Sequence, residues 1–600
     1  MTNWLSGLGR RLREKGAGSD REHLQEVLVI CHAGDPGGLS ATGNICMALA
    51  QTKIHFSVLD IAAKGNWPPL EKYDAVVLST ENIHELSTAQ ALDMVRYVQG
   101  GGGLLVAYRG WHPVLADLFG CRPSTAAPDY LPAGGRGLRF CEELFTGAEG
   151  LHIRDEHWEF EHAQLDISKV GLEAGCNILA TDDDDRPIAW QYDIAKGRVI
   201  YWNTVVLFCR GLRGFALQSL LSVMRCGISS IAGVGVMQVD DFPPSLSLAP
   251  SDPAGPELAD VRRNDFYLQV WLPDMMKLKK KHSLTYTCYV IMNYHDTDVS
   301  SFPEDGAVGN LVDTGELGKR MSAIAGRLED VEIGFHGYNH EPMTREGWPD
   351  LVVAEKKLKL ARSMWEEHVS AAMPVSFVPA NNWYHEEHLK LLGRVFPEIT
   401  TVCSLFSTGD ASLGGYREFG AEPWNEALLC VPRETCGYMF GPRERMMLLS
   451  QIAALGCWTH FIHPDDVFDV PRQDQPGAYV RNVERRYWHT DNPAGLKGLL
   501  DELDDWLTTV TTLFPWIDFL TTSKAAVRFQ RHSQTTVRIT LGYSRAVIES
   551  AMPGLYYLRV RDGIDVRPGR GGRIADKKSV FGGTLYTVGC RSGRTEFRLG

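Results

Sequence analysis

Three short fragments of this chain bring together the residue types that can cleave a polar bond with the help of a cation: Gln238-Val239-Asp240-Asp241-Phe242, His336-Gly337-Tyr338-Asn339-His340 and His463-Pro464-Asp465-Asp466. Each closes a short apolar run that reads as a buried strand. Two adjacent carboxylates can divide the work, one holding a cation while the other takes a proton from water. Histidines four residues apart, on one side of a turn, can reach the same ion, and neutral imidazole is a preferred zinc ligand. A later histidine at a strand end can protonate a leaving amine, with a nearby carboxylate holding its tautomer. Singly, each fragment has a duller reading: an Asp-Asp strand cap, or a core histidine bonded to a backbone carbonyl. His460 is read that way, because strand alternation sends it to the face opposite His463. Together the fragments are the parts of a metal-dependent hydrolase.

A frame must bring these distant residues to one place. From Ile231 to Thr522 the pattern is of strands with polar residues at their C-terminal ends: Gly233 to Val239, Leu284 to Ile291, Val331 to Phe335, Val375 to Val378, Thr400 to Leu405, Ala427 to Val431, Cys457 to Ile462 and Ile517 to Leu520. Helical stretches such as Val353 to His368 and Leu496 to Leu513 lie between them, so residues 231–525 are expected to form a (β/α) barrel of seven or eight strands, its site at the strand C-termini. Residues 26–230 alternate strand and helix patterns (Val27 to Cys31, His55 to Leu59, Ala75 to Ser79, Leu104 to Tyr108), with a hairpin from Pro187 to Gln191 and Gly197 to Asn203. That predicts a flavodoxin-like or class I amidotransferase-like α/β domain. It should be non-catalytic, because the glycine run Gly100 to Gly103 leads into a strand with no elbow cysteine. Ser40-Ala41-Thr42-Gly43-Asn44 looks like a flavodoxin phosphate loop, but a helix N-cap at Ser40 or Thr42 is the simpler expectation. Residues 526–600 show short strands and Gly-rich turns, a small β-sandwich.

The order of strand-Asp-Asp, His-x-x-x-His, strand-Pro and strand-His resembles the NodB-type polysaccharide deacetylases, carbohydrate esterase family 4 and its divergent relatives, over about Ile231 to Thr522. The three-domain arrangement is also similar to the deacetylase half of the Pel exopolysaccharide modification protein. The resemblance implies Asp240 as general base, Asp241, His336 and His340 as ligands of a divalent metal, most simply Zn2+, and His463 as general acid. The substrate it implies is the N-acetyl group of an amino-sugar polysaccharide or glycan precursor. This chain departs from the pattern in two places. Phe242 and Pro243 stand where the family has glycine, and Phe377-Val378-Pro379-Ala380-Asn381-Asn382 has no arginine beside its proline. Arg433, just after the strand Ala427 to Val431, is the candidate to hold Asp240, and Asn382, Trp383 and Tyr384 are candidates to line a sugar site, Trp383 by stacking.

Composition bounds the rest. At 600 residues the chain should divide into three or four domains. No apolar run reaches the roughly 20 residues of a membrane span, which reads as a soluble, cytoplasmic chain. Residues 1–25 hold Trp4, Leu5, Leu8 and Leu12 among Arg10, Arg11, Arg13 and Lys15, a basic amphipathic segment that could touch a membrane surface. The 13 cysteines sit mostly in apolar runs without zinc-finger spacing and read as small buried hydrophobes. The net charge of −13 hides an asymmetry: from Ala526 onward there are 14 Lys and Arg against 5 Asp and Glu, a net of +9 that leaves −22 for the rest. A basic face there could hold an anionic polymer, yet the aromatic interleaving of a nucleic-acid binder is absent. Two rivals to the deacetylase remain: a metal-free glycoside hydrolase using a pair such as Asp240 and Asp465, and a catalytically silent carbohydrate-binding or assembly protein.

Overall fold

The computed structural model describes residues 22–63, 65–122, 128–131, 134–154, 162–294, 315–404, 417–475 and 477–600. Most of the basic amphipathic N-terminal segment therefore lies outside the described residues. The chain is mixed α/β and forms two compact units, one of Met1–Ile231, Ala453–Leu455 and Thr535–Gly600, the other of Ala232–Ile452 and Gly456–Gln534.

In the first unit, runs of β-branched and aliphatic residues make fully buried strands such as Ala75–Leu78 and Gly103–Val106. Five parallel strands lie in the order His55–Asp60, Glu26–Cys31, Ala75–Leu78, Gly103–Val106, Gly197–Trp202. Numbered along the chain this is 2-1-3-4-5, the flavodoxin-like order. The strand Pro187–Ile194 pairs antiparallel with Gly197–Trp202, as the sequence pattern predicts, and carries the sheet on to nine strands. The expected cap at Ser40 or Thr42 is corrected. The helix Pro36–Gln51 begins four residues earlier, with the Asp35 carboxylate accepting from Gly38 N. Ser40 and Thr42 lie inside it and donate back to the carbonyls of Pro36 and Gly38, so no hydroxyl cradle forms.

The same unit holds two further antiparallel sheets. One runs His23–Leu24, Val537–Leu541, Arg545–Ser550, Gly593–Leu599, Val566–Pro568; the other runs Cys226–Ile231, Gly554–Arg561, Gly583–Cys590, Gly572–Val580. Ile228, Ile539, Ile548, Leu558, Tyr586 and Phe597 belong to one buried cluster drawn from both sheets. Alternation along Val537–Leu541 and Gly593–Leu599 sends every second residue to that cluster. The helix Thr522–Gln534 runs through position 526, where the sequence pattern places the start of the tail domain.

The second unit is a curled parallel sheet. Seven of its strands lie in the order Asn425–Cys430, Thr401–Val402, Ser376–Phe377, Glu332–Phe335, Tyr286–Val290, Val234–Phe242, Cys457–Ile462, all parallel, with Gly420–Glu422 antiparallel to Asn425–Cys430 at one edge. The stretch after Cys430 joins the two ends. Val431 N donates to Val402 O at 2.9 Å and Arg433 N to Ser404 O at 2.5 Å, after which Glu434 N donates to Thr459 O at 3.1 Å and Gly437 N to Phe461 O at 2.9 Å. Thr435–Cys436 then runs parallel to Cys457–Ile462. Because the strands are parallel, all their C-terminal ends reach one rim.

Arg320, from the helix Gly315–Ile324, is 2% exposed and pins that rim from behind. Its guanidinium donates to the carbonyls of Pro243 at 2.8 Å, Ile291 at 3.1 Å and Met292 at 3.2 Å, tying the turn after Asp240-Asp241 to the end of the neighbouring strand. Burial lowers its affinity for the proton, and the desolvation cost is offset by the three carbonyls together with Glu316 at 3.8 Å and the Tyr294 ring at 4.8 Å. Replacing Arg320 with Met should leave those acceptors unpaired and lower unfolding stability by about 3 kcal/mol, read as a fall in the urea midpoint. An unchanged midpoint would show the clamp to be dispensable.

Candidate active site

Asp240 and Asp241 close the strand Val234–Phe242, where consecutive side chains should point to opposite faces. Asp241 has φ +51°, and the ladder to Tyr286–Val290 slips between Val239 and Phe242. This bulge and left-handed residue, a conformation worth roughly 1 kcal/mol of strain outside glycine, turn both carboxylates to the same cavity. Strand alternation alone would part them, and the backbone reversal at Asp241 brings them together.

His336, His340 and Asp241 converge. Their ligand atoms lie within 4.8 Å of one another, with Asp241 Oδ1 3.5 Å from His336 Nε2 and 3.6 Å from His340 Nε2. His336 Nδ1 contacts Val378 O at 2.7 Å. A carbonyl can only accept, so Nδ1 carries the hydrogen and Nε2 turns a lone pair toward Asp241. Burial holds this imidazole below its ordinary value despite the neighbouring carboxylates, keeping it neutral. Asp241 Oδ1 is buried and makes no hydrogen bond. Acceptors that face one another without a donor between them fit a divalent cation.

Asp240 sits beside this triad, 1% exposed. Arg433 Nη1 donates to Asp240 Oδ2 at 2.5 Å, and Arg433 is itself held by Asn382 Oδ1, which accepts from Nε at 3.0 Å and also from Nη2. The guanidinium lies 3.6 Å above the Phe461 ring. Burial alone would raise the Asp240 carboxyl, but the Arg433 and His463 cations outweigh it, and the group titrates below the usual carboxylate range. Asn382 thus meets Arg433 directly at the cavity wall. Asn381 and Asn382, both with φ above +50°, form the turn that puts it there.

His463 Nε2 lies 4.0 Å from Asp240 Oδ2, and its Nδ1 donates to Asp466 Oδ1 at 3.1 Å. Burial lowers this imidazole's proton affinity, but the Asp466 carboxylate more than reverses it, raising the value to about 9. Arg481 ties the loop together through Asp465 at 3.1 Å and through Asp466 and Asp469 at 3.0 Å each. His460 is a buried bystander. Nε2 donates to Gly437 O at 2.8 Å, Nδ1 meets Thr435 Oγ1 at 2.9 Å, and burial drops its value to about 3.

Asp240, Asp241, His336, His340, Asn382, Arg433, His463 and Asp466 line a cavity of about 800 Å3 that also reaches Cys436, Phe440, Tyr479, Arg481 and Glu502. None of those five stands out in the sequence, since Tyr479 and Arg481 lie in a loop without periodicity. Of the candidates for a sugar site, Trp383 is 42% exposed and outside the cavity lining. Tyr384 is corrected: it is buried, its hydroxyl donating to Glu422 Oε1 at 2.6 Å, and so it cannot face a substrate. Asp465, the proposed glycosidase partner of Asp240, lines a separate cavity of about 350 Å3 that Asp240 does not reach.

The model of one protein family, described as "Uncharacterised protein conserved in bacteria (DUF2194)", matches residues 130–579. The chain belongs to the DUF2194 family. No curated protein matches this DUF2194 chain. Among solved structures, one described as a polysaccharide deacetylase from Mycobacterium smegmatis is 15% identical, with a TM-score of 0.30 over 49% of this chain and 89% of its own. The exo-β-1,4-mannosidase Op5Man5 from Opitutaceae bacterium strain TAV5 is 13% identical, with a TM-score of 0.22 over 34% of this chain and 33% of its own, so the match spans a third of that enzyme's length. A ThuA-like protein from Parabacteroides merdae is 12% identical, with a TM-score of 0.24 over 34% of this chain and 90% of its own. Likenesses this slight carry no argument about activity, and the DUF2194 site is read from its own geometry. No helix among the described residues is long and apolar enough to cross a membrane.

The raised His463 value has a consequence for stability. A group whose folded value lies above its unfolded value, near 6.5, stabilises the fold fully below that pH and loses the contribution as pH rises through about 9. Between pH 6 and pH 10 the DUF2194 protein should lose up to about 3 kcal/mol from this residue, and His463→Gln should flatten the dependence in urea melts taken across that range.

Proposed function

We propose that the protein is a metal-dependent amide hydrolase that removes the acyl group from an N-acylated amino sugar in a polysaccharide or glycan precursor. The observation that carries this reading is the convergence of Asp241, His336 and His340 in the same cavity as two oppositely biased pairs, Asp240 with Arg433 and His463 with Asp466. Asp241, His336 and His340 would hold the ion, with zinc favoured by two imidazoles and one carboxylate. Such an ion, when bound, polarises an acyl carbonyl and acidifies water.

The chain's own residues supply the rest. Asp240, kept ionised by Arg433, accepts the proton of the attacking water. His463, kept protonated by Asp466, lies near enough to Asp240 to serve the same reacting centre and gives its proton to the departing amine. Asn382 fixes the direction of the Arg433 fork and through it the free oxygen of Asp240, which makes no hydrogen bond of its own. A cavity of about 800 Å3 with Phe440, Phe461 and Tyr479 among hydrogen-bonding side chains suits sugar rings, whose faces are apolar and rims polar. The motif resemblance supplies the amino-sugar amide as the bond.

Elemental analysis and calorimetry on purified protein should show one zinc per chain, lost in Asp241→Ala and His340→Ala. Asp240→Asn should keep the zinc while acetate release from acetylated glycans falls by about 10²- to 10⁴-fold. If release persists in that variant, Asp240 is not the base. The alkaline limb of the pH–rate profile should fall near 9, the value of His463, and move at least one unit lower in Asp466→Asn. A limb that stays in place would remove His463 as the acid.

A further inference from the structure

Two cavities meet at the candidate site. The larger, about 800 Å3, is lined by Asp240 and His463; the smaller, about 350 Å3, is not. Asp241 and His340 line both. The smaller one has a built aromatic wall. Phe266 meets Phe468 edge-on at 5.1 Å, Tyr267 and Tyr294 continue the surface, and the Arg263 guanidinium covers Phe468 at 4.4 Å. Tyr267 is 6% exposed, and its buried hydroxyl has no hydrogen-bond partner.

An amide has two halves. In its hydrolysis the water oxygen bonds to the acyl carbon, the carbon–nitrogen bond breaks, and the amine leaves with a proton while the acyl group leaves as a carboxylic acid. The proton donor, His463, opens only to the larger cavity, so the amine half with its sugar lies there. The acyl half must then point past Asp241 and His340. We propose that the smaller cavity receives the acyl group and is built for one longer than acetyl. This rests on the amide-hydrolase reading and goes beyond it by naming the group removed. Size supports it. An acetyl group of three heavy atoms needs roughly the space of two waters, about 60 Å3, a small part of this cavity. Ser245 and Ser247 border it on the exposed side, and Arg263, Asn264 and Asp465 add a polar flank to the rings. The four aromatic rings of Phe266, Tyr267, Tyr294 and Phe468 match a chain with methylenes to bury.

The test uses the full-length, zinc-loaded protein and the straight-chain acids that would be its products. Acetate, butyrate and hexanoate are titrated by calorimetry, in the native protein and in Ser245→Trp, a substitution at an exposed position of the cavity wall that does not challenge the core. Affinity should rise about three- to fourfold per added methylene, and the rise should disappear when the indole fills the cavity. Affinity that stays flat or falls beyond acetate, or the same rise in both proteins, overturns the assignment. A parallel series of N-acetyl, N-butyryl and N-hexanoyl glucosamine should show kcat/KM sustained or rising with length. The parent reading is judged separately by zinc uptake and by release of acetate. If those hold while the longer acids gain nothing, only the acyl assignment falls; if they fail, the hydrolase reading falls and this inference with it.

Discussion

Everything in the candidate site depends on one reversed residue. An extended strand offers only every second side chain to a given surface, so Asp240 and Asp241 can share a cavity only if the backbone turns over between them, and the positive φ of Asp241 does this. The reversal is held by what surrounds it. The ladder resumes at Phe242 opposite Val290, and Arg320 grips the carbonyls on either side of the next gap. A strained backbone persists only where the structure around it over-determines it, and a buried cation donating to three carbonyls is such a determinant.

The second constraint is electrostatic. Asp240 and His463 stand 4.0 Å apart, and a free carboxylate and imidazole in contact would settle their protons by mutual attraction. Here each has a dedicated counter-ion, Arg433 for the one and Asp466 for the other, so one is held ionised and the other protonated through the neutral range. Groups whose proton affinities are driven apart in this way are how a single cavity can accept and donate protons at one pH. The two counter-ions come from opposite sides of the closure. Arg433 lies on the stretch that leaves Thr401–Val402 for Cys457–Ile462, and Asp466 lies just beyond the end of the latter strand.

Much of this was legible in the sequence, and the limits have physical causes. Strands such as Glu26–Cys31 and Cys457–Ile462 announce themselves because a buried parallel strand is a continuous apolar run. The Asp-Asp and His-x-x-x-His fragments stand out because chemistry-bearing residues rarely end such runs. Arg433 could be singled out by its place just past a strand. The Arg481 hub could not, since a loop without periodicity gives no hint of where its side chains go. Ser40 and Thr42 misled because hydroxyls inside a helix and at its start look alike in sequence; the carboxylate of Asp35, five residues before Ser40, was the cap. Tyr384 misled because an aromatic after a turn can face either way, and its hydroxyl found Glu422 in the interior. Nor does any local pattern tell that Cys226–Ile231 will pair with Gly554–Arg561, because strand partners so far apart are chosen by the whole fold.

That last pairing carries a cost in time. Roughly 320 residues separate Ile231 from the strand that covers it, and at about 5–20 residues per second a ribosome needs some 15–60 s to make them. Throughout that interval six residues that end buried in the folded protein lack the strand they pair with, and their backbone groups are open to another chain. Productive synthesis of this protein therefore favours a cell that either shields the emerging N-terminal half with a chaperone or makes it sparsely enough that two growing chains seldom meet.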